Sequence, residues 1–231
     1  MWERLREIGR ELPGDTRVVV VRGEGRAFSA GLDISAVSGP AVSGAEAAGD
    51  GFSFANIAAM DDAAADALIA GFQEGFSWLR RPDLVTVAAV QGHAIGAGFQ
   101  LALACDLRVV ADDAQFTMAE VTLGLVPDLT GTKRLVDLVG HARALEICVT
   151  GRRVGAEEAL RLGIATSVVP AADLDAAVGD LTARILGANR DAVIEIKALL
   201  AGAADRSYEA QYEAERQAQL RRIRDLAGMG E

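Results

Sequence analysis

Apolar residues along the chain fall into two patterns: short continuous runs, and repeats at intervals of three or four. Continuous runs of this length are typical of buried strands, and the repeats are typical of helices that bury one face. The runs predict strands at 17–21, 84–90, 107–111 and 164–169. The repeats predict helices at 2–12, 68–79, 135–139, 142–149, 155–163, 174–186, 192–200 and 208–226, and a further helix follows the second strand and its loop.

The order of these elements predicts an α/β protein. Strand, loop and helix alternate up to about residue 170, and the rest of the chain is nearly all helix. This order is typical of a sheet with helices packed on it. We therefore expect an α/β core over 1–170 and a helical region over 171–231 that serves packing and oligomerisation. Residues 36–66, rich in Ala, Gly, Ser and Asp, predict a mobile loop with weak helical content.

Composition and charge narrow the choice of partners. The net charge of −10 argues against nucleic acid or an anionic membrane as the main partner. The apolar run at 94–105 is too short to span a bilayer, and the charged start of the chain differs from a signal peptide. The two cysteines, Cys105 and Cys148, provide neither a disulfide framework nor a zinc site, so we expect a cytoplasmic protein without a metal.

Two loops of small residues carry the candidate chemistry. The segments "FSAGLD" and "VQGHAIGAGFQLALACD" each follow an apolar strand and offer backbone N–H groups beside small residues. A dinucleotide-binding loop is disfavoured because Leu101 stands where a third glycine is needed, and "GTK" at 131–133 lacks the spacing of a phosphate-binding loop. Two interpretations stay open. The N–H groups converge on one oxygen as an oxyanion hole, or the glycines only permit tight turns.

Three longer blocks resemble the enoyl-CoA hydratase/isomerase (crotonase) superfamily. They are "GRAFSAGLDI", "VQGHAIGAGFQLALACDLRVVADDAQFTMAEVTLGLVPDLTGTKRL" and "VGHARALEICVTGRRVGAEEALRLGIATSVVP". The resemblance extends from about Arg17 to Pro170 and implies a crotonase-like ββα spiral core with a helical C-terminal region. It also implies an acyl-CoA thioester substrate, no cofactor besides the coenzyme A of that substrate, and assembly as a homotrimer or a dimer of trimers.

The resemblance assigns an oxyanion hole to two backbone N–H groups. The first belongs to Leu32, which follows the glycine of "SAGLD", and the second belongs to Ala97, which opens the helix after the second loop. Because both groups act through the backbone, the Leu and Ala side chains are no obstacle. The residues that the resemblance places along bound CoA are Arg26, Ala30, Asp33 and Ile34, with Arg26 positioned to meet a phosphate.

The acid–base residues depart from the hydratase pattern. Hydratases of the superfamily use two glutamates; Glu120 matches the second, whereas Gln100 occupies the first position. An amide orients water but does not exchange protons near neutral pH, so hydration by two carboxylates is impaired. Another carboxylate, Asp128, lies where the dienoyl-CoA isomerase branch carries an acid, although a turn residue after Pro127 is an equal alternative.

These residues predict an enzyme that moves the double bond of an enoyl-CoA. In this hypothesis Glu120 transfers the proton while the N–H groups of Leu32 and Ala97 hold the thioester enolate. Two alternatives stay open: an enoyl-CoA hydratase that works with one glutamate, and an acyl-CoA-binding protein without turnover. We also expect that the N-terminal β-hairpin typical of the family is missing. Either the chain is a truncated or mis-started version, or its sheet edge is covered in another way.

Overall fold

The strands predicted from the apolar runs are present in a computed structural model, which describes residues 1–33 and 54–229. Ile34, and with it one predicted CoA contact, lies outside the described residues, as does much of the predicted 36–66 loop. The described strands are β1 (Val18–Arg22), β2 (Val85–Val90), β3 (His93–Ile95), β4 (Leu107–Ala111), β5 (Gln115–Thr117), β6 (Arg153–Gly155) and β7 (Ser167–Val169). The described helices are α1 (Trp2–Glu11), α2 (Phe54–Ala58), α3 (Asp62–Ser77), α4 (Ala97–Ala104), α5 (Gly131–Val139), α6 (His141–Thr150), α7 (Ala156–Arg161), α8 (Leu174–Gly187), α9 (Arg190–Gly202) and α10 (Tyr208–Leu226).

Within the described ranges the strands form two sheets. A parallel sheet has the order β1-β2-β4-β7, and a smaller sheet has the order β3-β5-β6. In the smaller sheet β3 and β5 are parallel, whereas β5 and β6 are antiparallel. Every residue of β2 is buried, which explains its continuous apolar run, because a strand covered on both faces has no solvent side. The predicted α/β class is confirmed.

The sequence pattern differs from the structure around the smaller sheet and before α3. It misses β3, β5 and β6, because a strand of three residues is too short to show an alternation. The helix predicted at 68–79 starts earlier, at Asp62, because the side chain of Asp61 accepts a hydrogen bond from the N–H of Ala64 at 2.9 Å and caps the helix. The end of the predicted 36–66 loop is therefore helical.

The parallel sheet separates two apolar clusters. Successive side chains of a strand point to opposite faces, so Ala88 and Val90 of β2 join the main core while Val87 and Ala89 face a smaller cluster with α8. In the main core Phe76 of α3, Phe99 of α4 and Phe116 of β5 are fully buried. This cluster fixes α3, α4 and the smaller sheet relative to one another.

A polar contact ties the C-terminal helices to the parallel sheet. The Nζ atom of Lys197, on α9, donates to Oδ2 of Asp106 and to the carbonyl of Leu84, both at 2.7 Å. The same Asp106 oxygen accepts from the N–H and the hydroxyl of Thr86 on β2, at 2.8 and 3.0 Å. The lysine and aspartate side chains are only 13% and 21% exposed, so little water competes with the ion pair.

Among the described helices, none is long and apolar enough to cross a bilayer.

We predict that Lys197→Met lowers the free energy of unfolding by about 2–3 kcal/mol, because it leaves a largely buried carboxylate without its charged donor. Urea denaturation of the two proteins measures the difference. The matched control is Lys133→Met, since Lys133 is exposed and its contact with Asp137 is a surface pair within one helix. An equal, small effect of both substitutions would show that the contact between Lys197 and Asp106 does not anchor the C-terminal helices to the sheet.

Candidate active site

The two loops of small residues are held side by side by strand-like pairing. Ser29 donates its N–H to the carbonyl of His93 at 2.9 Å, and its own carbonyl accepts from the N–H of Ile95 at 3.0 Å. These bonds form a parallel bridge between Ser29 and Ala94. Because β1 and β2 are also parallel neighbours, both loops leave the same edge of the sheet and meet there.

The meeting point of the loops has no room for a side chain at position 98. A Cβ atom on Gly98 would lie 2.5 Å from the Cβ atom of Ser29 and 3.0 Å from its carbonyl oxygen. Two residues earlier, Gly96 has φ 52° and ψ −116°, a conformation that residues with a side chain rarely adopt. These glycines therefore do more than permit a turn, because one of them also lets the two loops touch.

The predicted oxyanion donors, Leu32 and Ala97, line one and the same cavity. Ala97 is the first residue of α4, and the first hydrogen bond of this helix runs from the N–H of Gln100 to the carbonyl of Gly96 at 3.0 Å. Within the described ranges, no acceptor is found for the N–H of Leu32 or of Ala97. Free N–H groups at a helix N-terminus favour an anionic oxygen.

The cavity has a volume of about 440 Å³ and is lined mainly by apolar side chains, as small-molecule sites usually are. Its large apolar residues are Trp2, Phe54, Ile57, Ile69, Phe72, Ile95, Leu123, Leu125, Val126 and Leu129, in addition to Leu32. Its polar side chains are Gln100, Glu120, Thr122 and Asp128. Gln100, Glu120 and Asp128, the three predicted catalytic residues, thus line the cavity that both predicted oxyanion donors also line.

The pairing of β3 with β5 places Glu120 beside the start of α4. Ile95 lies opposite Thr117 in this pairing, and the N–H of Gly96 donates to the carbonyl of Thr117 at 2.8 Å. Glu120 follows shortly after, in a 3-10 turn, and a Cβ atom on Gly96 would lie 3.3 Å from its Oε1 atom. The other oxygen, Oε2, is buried with no hydrogen-bond partner among the described residues. A buried carboxylate oxygen without a partner is costly, and a functional role is one explanation for its presence.

Gln100 fixes the orientation of the Glu120 carboxylate. Its Nε2 atom donates to Oε1 of Glu120 at 2.7 Å, and its own Oε1 accepts from the N–H groups of Leu129 and Gly131 at 2.8 and 3.2 Å. The Gln100 side chain is fully buried, and these three bonds leave one orientation of the amide that satisfies all partners. A carboxylate at this position would accept the same two N–H groups but would have no hydrogen to donate to ionised Glu120.

The environment of the two carboxyl groups raises both of their pKa values. Burial raises the pKa of Glu120 and the charge of Asp128 adds to the rise, whereas the hydrogen bond from Gln100 lowers it. Burial also raises the pKa of Asp128. The raised pKa brings the Glu120 carboxyl closer to the pH range in which a group can both accept and return a proton.

The cavity also depends on residues that the sequence patterns did not single out. Gln73 of α3 donates its Nε2 hydrogen to the carbonyl of Asp128 at 2.7 Å and so holds the loop that carries this carboxylate. Trp2 and Phe72 contribute apolar side chains to the cavity lining. The sequence pattern predicts only that each belongs to a helix that buries one face. Their spacing predicts burial, but nothing in it distinguishes contact with a cavity from contact with the core.

The predicted CoA contacts are only partly brought together in the described ranges. Ala30 lines the cavity. Arg26 and Asp33 are exposed and lie outside the cavity lining. Within the described ranges no cluster of three or more His, Cys, Asp or Glu residues is arranged to hold a metal ion.

The fold and the paired loops are those of a crotonase-type protein, and comparison with known families gives the assignment. Residues 10–226 match the family model described as enoyl-CoA hydratase/isomerase. This match covers most of the chain, so the chain belongs to the enoyl-CoA hydratase/isomerase family. The fold predicted from the three sequence blocks is confirmed.

Solved structures and curated proteins agree with this family. The chain is 47% identical to a Thermobifida fusca YX protein assigned as an enoyl-CoA hydratase and solved in complex with CoA; the superposition has a TM-score of 0.89 and covers 99% of this chain and 84% of that one. It is 35% identical to a carnitinyl-CoA dehydratase of Escherichia coli O157:H7, over 85% of this chain and 67% of that protein. It is 34% identical to a Mycobacterium bovis protein assigned as an enoyl-CoA hydratase, over 69% of this chain. That last match spans 54% of the Mycobacterium bovis protein's length.

We predict that Gly98→Ala lowers the free energy of unfolding by about 1–3 kcal/mol, because the added methyl group must push Ser29 or α4 away. The control is Gly179→Ala in α8, where no atom lies within 4 Å of the added Cβ and the change should be neutral or stabilising by up to about 1 kcal/mol. Urea denaturation measures both variants. Equal stability of Gly98→Ala and the wild type would mean that the loops do not touch in solution.

We predict that Glu120→Gln becomes more stable than the wild type as the pH rises from about 4.5, the ordinary glutamate value, towards neutral. Because the folded pKa of Glu120 is raised, the wild type loses stability as the pH rises through that folded pKa, and the amide variant does not. Below the ordinary value the carboxyl is protonated in both the folded and the unfolded state, so the two proteins should converge. Urea denaturation across this pH range measures the difference.

The control for this pH dependence is Glu158→Gln. Arg152 donates to Glu158 at 2.8 Å and lowers the pKa of that carboxyl, so this variant should lose stability relative to the wild type as the pH rises up to about 4.5 and show a constant difference above it. Urea denaturation that also covers the pH range below 4.5 measures this change. The two substitutions remove the same charge, and their opposite signs would come from the environment of each carboxyl. The same sign for both would contradict the burial argument.

Proposed function

We propose that this chain processes acyl-CoA thioesters and moves the double bond of an enoyl-CoA by way of a thioester enolate. The observation that supports this most directly is that Glu120, which has one buried oxygen without a hydrogen-bond partner among the described residues, lines the same cavity as Leu32 and Ala97, whose backbone N–H groups are unpaired. The Thermobifida fusca relative was solved with CoA, which supports the same class of ligand.

The proposed reaction is a proton transfer between two carbons of the substrate. Oε2 of Glu120 removes a proton from the carbon between the thioester and the double bond, and the electron pair left behind spreads onto the thioester oxygen. The N–H groups of Leu32 and Ala97 stabilise that oxyanion, each by about 3 kcal/mol in the transition state. The protonated Glu120 then returns the proton to the far carbon of the original double bond, so the product is an isomer and no atom is gained or lost.

Gln100 makes Glu120 suited to this task and poorly suited to hydration. Its Nε2 atom holds one carboxylate oxygen and leaves the other for the substrate. Hydration needs a water molecule that is held and deprotonated while a second proton reaches the substrate, and the amide cannot supply that proton. Asp128, which lines the same cavity, is the proposed assistant, because its charge raises the pKa of Glu120.

Hydration with a single glutamate is the second candidate. It is favoured by the names of the relatives, which include an enoyl-CoA hydratase and a carnitinyl-CoA dehydratase. In that case Glu120 would act as both base and acid on one water molecule, and Gln100 would only position it. Acyl-CoA binding without turnover is the remaining outcome. None of the three needs a cofactor besides the coenzyme A of the substrate.

The deciding experiment is an assay of the purified chain with trans-2-, cis-3- and trans-3-enoyl-CoA. We expect isomerisation of the 3-enoyl substrates without hydration, and a fall in kcat of at least about a hundredfold in Glu120→Gln, because a general acid–base group is lost. The control is Glu157→Gln, on the surface of α7, which should keep the wild-type kcat.

Gln100→Glu tests which residue limits hydration. If the amide is the limit, this variant should gain hydration of trans-2-enoyl-CoA while the wild type shows none. Hydration by the wild type, lost in Glu120→Gln, would favour the second candidate over the isomerase. Tight acyl-CoA binding with no turnover of any of the three substrates would overturn both.

A further inference from the structure

The cavity continues from the catalytic carboxylate along an apolar wall formed by two helices. Ile69 and Phe72 of α3 line it, and so does Trp2 of α1. The polar lining side chains belong to α4 and to the segment 120–128, so this wall is apolar throughout. The wall therefore suits a hydrocarbon group, and its apolar composition selects which acyl groups of a substrate can bind against it.

Close packing of α1 on α3 holds the Trp2 ring in place. The centroid of this ring lies 5.3 Å from that of Phe76, which is fully buried, and 6.4 Å from that of Phe72. A Cβ atom on Gly75 would lie 2.9 Å from the carbonyl oxygen of Trp2, so the two helix backbones are nearly in contact. With fixed core atoms behind it, the Trp2 ring is a firm boundary.

Trp2 and the proposed reacting groups are carried by different elements. The helix α1 packs mainly against α3 and the 3-10 turn Trp78–Arg80 that follows it. The helix α3 in turn meets α4, which carries Ala97 and Gln100. In the proposed pocket, Trp2 therefore belongs to the wall supplied by α1 and α3, whereas the reacting groups come from other elements.

The charges around the cavity argue against a charged acyl tail. No Lys, Arg or His of the described residues lines it, whereas Glu120 and Asp128 do. An acyl group that ends in a carboxylate would therefore meet like charge or apolar surface, and either one disfavours it. An uncharged hydrocarbon tail gains from the same surroundings.

We propose that Trp2 and Phe72 form the end wall of an acyl pocket that takes uncharged, apolar acyl groups, and that these two rings limit their length. The inference rests on the proposed acyl-CoA function and adds to it the class and size of the acyl group. Neither ring takes part in the chemistry.

The test is calorimetric binding of saturated thioesters from butanoyl-CoA to dodecanoyl-CoA, none of which has a double bond to isomerise. For the wild type we expect the affinity to rise by about fourfold per methylene until the chain meets the wall, and then to stop rising. Trp2→Leu and Phe72→Leu, on different helices, should each extend the rise to longer chains. Glutaryl-CoA should bind more weakly than pentanoyl-CoA, which has the same chain length without the terminal carboxylate.

The matched control is Trp78→Phe. Trp78 packs where α1 meets the end of α3, since a Cβ atom on Gly9 would lie 2.4 Å from its ring, but it does not line the cavity. This variant should keep the wild-type length limit. An unchanged limit in both leucine variants, or a shift in Trp78→Phe of the same size, would overturn the end wall. Glutaryl-CoA binding as tightly as pentanoyl-CoA would overturn the proposed class of acyl group.

Binding and turnover separate this inference from the proposed function. If the length limit moves as expected but no enoyl-CoA is converted, the end wall stands and the proposed reaction fails. If isomerisation is observed but the limit does not move, the reaction stands and the end wall fails. If none of the saturated thioesters binds, both proposals are overturned.

Discussion

The parallel pairing of β1 with β2 is the constraint from which the candidate site follows. It brings two loops of small residues to one sheet edge, where the bridge between Ser29 and Ala94 extends the pairing beyond the strands. The contact is so close that position 98 must be glycine, and it sets Ala97 at the start of α4. Without this approach the N–H groups of the two loops would belong to separate surfaces.

A second strand pairing brings Glu120, the predicted acid–base residue, to the meeting point of the two loops. The strands β3 and β5 run parallel from the same region, so the chain after β5 passes beside the start of α4 and delivers Glu120 there. Gln100, on α4, then connects to Glu120 and to the backbone at the start of α5 through three hydrogen bonds. Backbone donors and a carboxylate from three parts of the sequence are in this way held by ordinary strand and helix geometry.

The sequence patterns predict those parts of the fold that depend on local burial. The strand at 107–111 and the helix at 208–226 have the predicted bounds, because the buried strand is a compact apolar run and the helix is a long stretch of helix-favouring residues that begins after the cap at Ser207. The sequence pattern misses the strands of the smaller sheet, because each has only three residues and pairs with its neighbour only after the tertiary structure has brought them together. The pattern also misses the start of α3. Its first residues are Ala and Asp, with no large apolar side chain to show a helical repeat, so only the cap at Asp61 marks this helix start.

The candidate site shows the same difference between features that the sequence predicts and features that depend on distant contacts. The resemblance to the family singles out Glu120, Gln100 and Asp128, but the direction of the Gln100 amide depends on Leu129 and Gly131, which lie far along the chain. Contacts between distant segments, such as the one that places Trp2 on the cavity wall, leave no local pattern.

The Gln100 network has an evolutionary consequence. The codons for glutamine and glutamate differ in one nucleotide, and either side chain can accept the two backbone N–H groups that hold this position. A change between them would keep the fold, the loops and Glu120 while exchanging an amide for a second carboxyl group. The chemistry of this scaffold can therefore diverge at a single codon, without any rebuilding of its architecture.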